Sequence, residues 1–181
     1  MAKDDIIKNQ LKIPSQKKYA FQSMVQLYHP RLYHFARKMV LIHEDTDDVL
    51  QESFLKAWKA IDKFRGEASL YTWLCRIVMN ESLSFIEKKK KEASLMNQDT
   101  IDWKMSQLKS DPYFSGGEIE LQLQKVILSL PEKQQLVFNM RYYEEMKYEE
   151  ISEILDVSVG ALKASYFHAK QKVEKHMLKT L

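Results

Sequence analysis

Tyr148-Glu149-Glu150-Ile151-Ser152-Glu153-Ile154-Leu155-Asp156-Val157-Ser158-Val159-Gly160-Ala161-Leu162 reads as two helices meeting at a tight turn. Ile151, Ile154 and Leu155 recur at three- and four-residue spacing before the turn, Leu162 and Tyr166 continue the stripe after it, and Val157 and Val159 lie between. These side chains would share one inner face. Ser158 is placed to open the second helix, which runs on to the C-terminus, and a turn of about three residues is what a helix-turn-helix requires. An ordinary helical hairpin carries the same spacing.

The helical pattern extends upstream. Glu118 to Leu130 predicts one helix, and Pro131, whose missing N–H is no loss in a first turn, starts another that reaches Tyr143. Ahead of Glu118 the periodicity lapses. Residues 92–117 collect Ser, Asn, Asp, Gln and a Pro and end in Ser115-Gly116-Gly117, the composition of a flexible linker. Before them, Phe21, Met24, Val25 and Tyr28 predict a helix over 17–29, and Pro30 opens a second one to about Leu41. A third, capped by Thr46 or Asp45, runs to about Phe64 with Val49, Leu50, Phe54, Ala57, Trp58 and Ile61 inward. After Gly66, Ser69 caps a fourth that buries Leu70, Trp73, Leu74, Ile77 and Val78. The expected fold is all-α, with two small helical domains: four helices over 17–91, a linker over 92–117, and the helix-turn-helix domain over 118–179.

Composition agrees with helices and excludes several functions. With 45% hydrophobic and 29% charged residues the chain should fold, and only four Gly and four Pro interrupt it. Residues 1–15 have no apolar core and no run approaches the length of a membrane span, so a cytoplasmic location is expected. Cys75 is the only cysteine and reads as a packing residue, which excludes an internal disulfide and a cysteine-rich metal site. His29, His34, His43, His168 and His176 show no metal-ligand spacing and no glycine-rich phosphate loop occurs. Nothing sets a pair of acids apart for acid/base work, so neither catalysis nor a cofactor is expected.

The net charge of +3 is unevenly spread. Residues 144–156 hold six acids against one lysine, residues 157–181 five lysines against one glutamate, and Lys88 to Lys91 stand in a row. Such blocks suggest one anionic and one cationic partner.

Three sets of residues could meet those partners. Asp48, Gln51 and Glu52 lie three and four residues apart on the outer face of the third helix, either as a solvated surface or as a dock for a basic protein. On the fourth helix Thr72, Arg76, Met79, Asn80 and Leu83 recur beside the core stripe, flanked by Tyr71 and Trp73 and leading to the lysines. Aromatic, amide and cationic groups in that order suit a single nucleic-acid strand, and Phe64-Arg65-Gly66 could complete a pocket for an unstacked base; the alternative is that Phe64 and Trp73 are core aromatics. In the last helix Ser158, Gly160, Ala161, Lys163, Ala164 and His168 would enter a major groove.

Taken together, these segments resemble the bacterial sigma factors of the extracytoplasmic-function (ECF) group, which keep only the second and fourth conserved regions of larger initiation factors. The resemblance rests on Asp48-Val49-Leu50-Gln51-Glu52-Ser53-Phe54, on Phe64-Arg65-Gly66-Glu67-Ala68 followed by Tyr71-Thr72-Trp73-Leu74-Cys75-Arg76-Ile77 with Asn80, and on Leu130-Pro131 before Tyr148-Glu149-Glu150-Ile151. It implies that Asp48, Gln51, Glu52 and Phe54 dock on the clamp helices of the largest RNA polymerase subunit, the second domain meeting the flap. It also implies that Phe64, Arg65, Tyr71, Thr72, Trp73, Arg76, Asn80, Lys88 and Lys89 open and read the promoter −10 element. The −35 element would fall to Ser158, Gly160, Ala161, Lys163, Ala164, Ser165, His168 and Lys170. An anti-sigma factor is a further implied partner; no small-molecule substrate is.

The chain departs from the family pattern at Ser84 and Glu87, in its arginine-poor Lys163-Ala164-Ser165 and His168-Ala169-Lys170, and at Leu74, where housekeeping factors place a second tryptophan. Fewer arginines mean fewer bidentate contacts to guanine or phosphate, and a single tryptophan predicts weaker melting and narrow promoter choice. The rival readings are a polymerase-independent helix-turn-helix regulator, which leaves Asp48/Gln51/Glu52 unexplained, and a helical scaffold or anti-sigma partner.

Overall fold

The computed structural model describes residues 3–95 and 101–179, and among them nine helices and no strand occur. Residues 96–100 of the expected linker lie outside the described residues. Helix α1, Lys3–Leu11, lies against α2, Lys17–Val40, through buried Ile7 and a hydrogen bond from Tyr28 Oη to Asp4. Helices α3, His43–Ala60, and α4, Leu70–Leu95, complete the first domain around Met24, Leu32, Phe35, Leu50, Leu70, Leu74 and Val78.

Pro30 does not divide two helices as its position suggested; α2 continues through it. A proline there removes the hydrogen bond to the carbonyl of Gln26, but both residues are exposed, so water can meet that carbonyl. The fourth helix of the domain is instead α1. Neither Thr46 nor Asp45 caps α3. The helix begins three residues earlier, Thr46 is buried with its hydroxyl on the Ile42 carbonyl at 2.6 Å, and the His43 N–H donates to the carboxylate of distant Asp111 at 2.8 Å. Ser69 does cap α4, its Oγ accepting from the Thr72 N–H at 2.9 Å. Trp58, expected inside, is 39% exposed, its ring edge-on to Phe21 with Lys17 above it.

Between the domains stands α5, Ile101–Ser110, which buries Met105 and Leu108. The second domain comprises α6, Glu118–Leu128, α7, Glu132–Phe138, a wide π-type turn over Asn139–Tyr143, α8, Tyr148–Leu155, and α9, Val159–Met177. Asp156 takes the left-handed conformation that ends α8. Ser158 then opens α9, its Oγ accepting from the Ala161 N–H.

The two domains are in contact. The larger apolar core runs without a break from Met24, Leu74 and Val78 to Met146, Ile151, Ile154 and Leu162. A smaller one, Ile127, Leu130, Phe138, Ala169 and Val173, holds α6, α7 and α9 together. The polar part of the seam is less well satisfied. Arg37 Nη1, Gln124 Nε2, Asn139 Oδ1 and Tyr143 Oη are buried without a hydrogen-bond partner among the described residues. All four lie where the second domain and its connection meet α2, and each such group costs roughly 1–3 kcal/mol relative to its solvated state.

Candidate nucleic-acid interface

On α3 the side chains of Asp48, Gln51 and Glu52 are exposed and lie on one face, because the helix turns its Val49/Leu50/Ala57 side inward. Phe54 is half-buried, its ring stacked on His29 at 6.0 Å between centroids. The stripe is open to solvent at its acidic end and apolar toward Phe54.

The turn before α4 places Phe64 against Trp73, ring centroids 5.3 Å apart, with both half-buried and Arg65 exposed beside them. Gly66 has φ +81, a left-handed value that a Cβ would strain, and this lets the chain reverse tightly between Arg65 and the first turn of α4. Farther along α4, Arg76, Asn80, Lys88 and Lys89 are exposed. Lys89 pairs with Asp45 at 3.3 Å and its Nζ sits over the Phe85 ring.

Tyr71 and Thr72 are placed differently from the rest. Thr72 is buried, its hydroxyl 2.8 Å from Ser69 Oγ, where it completes the helix cap and presents nothing outward. Tyr71 is 6% exposed and lies in the seam. Its hydroxyl donates to Glu144 Oε2 at 2.6 Å, and the Arg31 guanidinium covers its ring at 3.8 Å while Arg31 Nε donates to the same carboxylate oxygen at 3.2 Å. Burial raises the phenol's pKa, and the hydrogen bonds to Cys75 and Glu144 raise it further, so the group is a donor at all physiological pH. Cys75, buried beneath it, has its thiol pushed up to about 12 by desolvation, which suits a packing residue and not a nucleophile. Arg76 also points into the seam, its Nε donating to the Ile154 carbonyl at 3.3 Å.

On α9 the residues opposite the Leu162/Ala169/Val173 stripe are exposed: Gly160, Ala161, Lys163, Ala164 and His168, with Lys170 paired to Glu174 at 3.5 Å. Ser165 is half-buried, and Lys163 reaches over the Tyr148 ring. Small side chains at Gly160, Ala161 and Ala164 make this a low surface that can approach a groove floor closely.

Phe167 stands at the centre of that face, 56% exposed, with its ring edge against His168. Sequence reasoning did not single it out. The signal was present, because a core stripe of Leu162, Tyr166, Ala169 and Val173 leaves position 167 facing outward beside Gly160 and Ala164.

Among the described residues no group of histidine, cysteine, aspartate and glutamate is arranged to hold a metal ion, and no helix is long and apolar enough to cross a membrane.

Comparison with known proteins points the same way for both halves. Residues 24–92 match sigma-70 region 2, and residues 120–173 match sigma-70 region 4. The chain is 30% identical over 145 residues, 72% of either length, to the ECF RNA polymerase sigma-E factor of Salmonella typhimurium. It is 28% identical over 165 residues, 87% of either length, to that of Haemophilus influenzae. Its fold is similar to that of the sigma factor RpoE, solved in complex with the anti-sigma factor NepR from Bartonella quintana, with TM-score 0.70 and 22% identity over 88% of this chain and 96% of the other. CnrH, solved with the cytosolic domain of CnrY, gives 0.69 at 22% identity over 96% of both chains.

Proposed function

Because the chain belongs to the ECF RNA polymerase sigma factors, we propose that it binds core polymerase through Asp48, Gln51, Glu52 and Phe54, and that it reads the −10 element with the Phe64–Asn80 region and the −35 element with α9. It directs initiation without making or breaking a bond, so its chemistry is recognition alone. On this reading it works in the cytoplasm with promoter DNA and core polymerase as partners and an anti-sigma protein as antagonist.

The observation that carries the −10 assignment is the Phe64/Trp73 pair at an exposed turn, followed on one helix by exposed Arg76, Asn80, Lys88 and Lys89. An unstacked base gains from aromatic faces while its phosphates meet cations, and the two needs are met in the order a strand would pass them. On α9 the low, small-residue face with Lys163 and His168 fits a major groove, and Phe167 offers an apolar contact to a thymine methyl.

The test is permanganate reactivity of unpaired thymines near the start site in reconstituted holoenzyme. Asn80→Ala and Trp73→Ala should reduce it without loss of core binding; unchanged reactivity overturns the strand-opening role. A Gln51→Ala/Glu52→Ala chain should copurify poorly with core polymerase, and undiminished recovery overturns the docking assignment.

A further inference from the structure

Of the acids at 144–156, most face solvent, but Glu144 lies against the first domain. Glu144 is nearly buried there, held by the Tyr71 hydroxyl at 2.6 Å and Arg31 Nε at 3.2 Å, while Arg31 Nη2 donates to its carbonyl oxygen at 2.9 Å. Helix α8, which follows it, covers the Tyr71 and Arg76 side of α4. A cation stacked on an aromatic ring, with a phenolic hydroxyl beside it, is an anion receptor built entirely from the first domain. Its occupant is a carboxylate from the second.

We propose that Arg31 and Tyr71 form a phosphate-binding site for the single promoter strand, and that Glu144 occupies it in the closed chain as an intramolecular stand-in for that phosphate. The proposal rests on the −10 reading above, since it needs a strand running along α4. Three observations support it independently of that reading.

Arg76, one turn along α4 from Thr72, spends its guanidinium on the Ile154 carbonyl in the closed form and would be released with Tyr71 on opening. Arg31 keeps half its side chain exposed even when paired, so an anion can approach before Glu144 has left. Finally, the seam leaves Arg37 Nη1, Gln124 Nε2, Asn139 Oδ1 and Tyr143 Oη buried without partners among the described residues. Rehydration of these groups on opening offsets part of the cost of separating the apolar surfaces, which lowers what a ligand must supply to shift the chain toward the open state.

The experiment is fluorescence anisotropy of a labelled oligothymidine of about 15 nucleotides, a length within the usual single-strand site range, titrated with the free full-length chain. Glu144→Gln keeps the volume and removes the charge, and should bind about tenfold more tightly than wild type. Glu145→Gln, an exposed neighbour, removes the same charge without touching Arg31 and should change little. Adding Arg31→Ala to Glu144→Gln should erase the gain. Amide hydrogen exchange on the same chains should rise in 71–76 and 148–155 for Glu144→Gln, which reads opening separately from binding and shows that the rest of the fold is intact. The inference is overturned if Glu144→Gln binds no more tightly than wild type, if Glu145→Gln gains as much, or if the gain survives without Arg31. Failure here with a loss of permanganate reactivity in the Asn80→Ala holoenzyme overturns this inference alone, whereas unchanged reactivity overturns the −10 reading beneath it.

Discussion

Asp111 accepts a hydrogen bond from the His43 N–H at 2.8 Å, so the first turn of α3 is capped by a residue 68 positions farther along the chain. The same carboxylate meets Arg37 Nη2 at 2.9 Å and the Tyr113 N–H at 2.8 Å, while the Tyr113 ring lies over His43. One side chain thus ties α2, α3 and the connection between the domains.

Asp111→Ala should destabilise the chain by about 2–4 kcal/mol, because it removes a cap and leaves Arg37, only 13% exposed at its side chain, without its counter-charge. Burial opposes ionisation of Asp111, but the two amides and Arg37 outweigh it and hold its carboxyl below the ordinary range. A depressed folded pKa makes this contribution complete above the unfolded value of about 3.9 and removes it as pH falls through the folded one. In urea melts, the gap between wild type and Asp111→Asn should therefore be widest at neutral pH and narrow under acid. A constant gap would show that ionisation is irrelevant to the cap.

Phe167→Ala should weaken −35 recognition by about 1–2 kcal/mol, roughly five- to thirtyfold, without affecting stability, since the ring is mostly in solvent. The check is run-off transcription on a promoter whose −35 thymines are replaced by deoxyuridine, which lacks the methyl group. Wild type should then fall to the level of the variant and the variant should change little. Additive losses would place the ring away from those methyls.

Gly66→Ala should cost about 1 kcal/mol although no heavy atom lies within 4 Å of the added methyl. The cost is backbone strain at φ +81 and not crowding, so Gly66→Asn, which tolerates the left-handed region better, should cost less. Denaturant midpoints for the three chains would decide it; equal losses would argue against the backbone cause.

Phe35→Ala, at a position 1% exposed in the core between α2 and its neighbours, should cost about 3–5 kcal/mol. Cooperative thermal unfolding with a lowered midpoint is the expected outcome.

What could be read from the sequence divides by distance along the chain. The helix-turn-helix was legible because the spacing of Ile151, Ile154 and Leu162 and the Ser158 cap act within a few residues. The cap of α3 was not, since nothing near His43 announces a partner at Asp111. Likewise α5 was missed because its short segment buries only Met105 and Leu108 and shows little periodicity. Tyr71 illustrates the same limit at the candidate site. Its place beside the core stripe suggested an outward ring, but α8 packs over that side of α4, so the buried face is wider than one helix alone can reveal. Pro30 misled for a different reason, because whether a proline ends a helix depends on whether the freed carbonyl reaches water.

Arg31 and Arg37 lie six residues apart on one helix, and each holds an acid from a different part of the chain, Glu144 and Asp111. This is bivalent attachment. While either contact is made, the other end is kept at high local concentration and re-forms quickly after a chance break. A competitor that captures one arginine therefore lowers the occupancy of the other without touching it, and release of the second domain should be steep in competitor concentration.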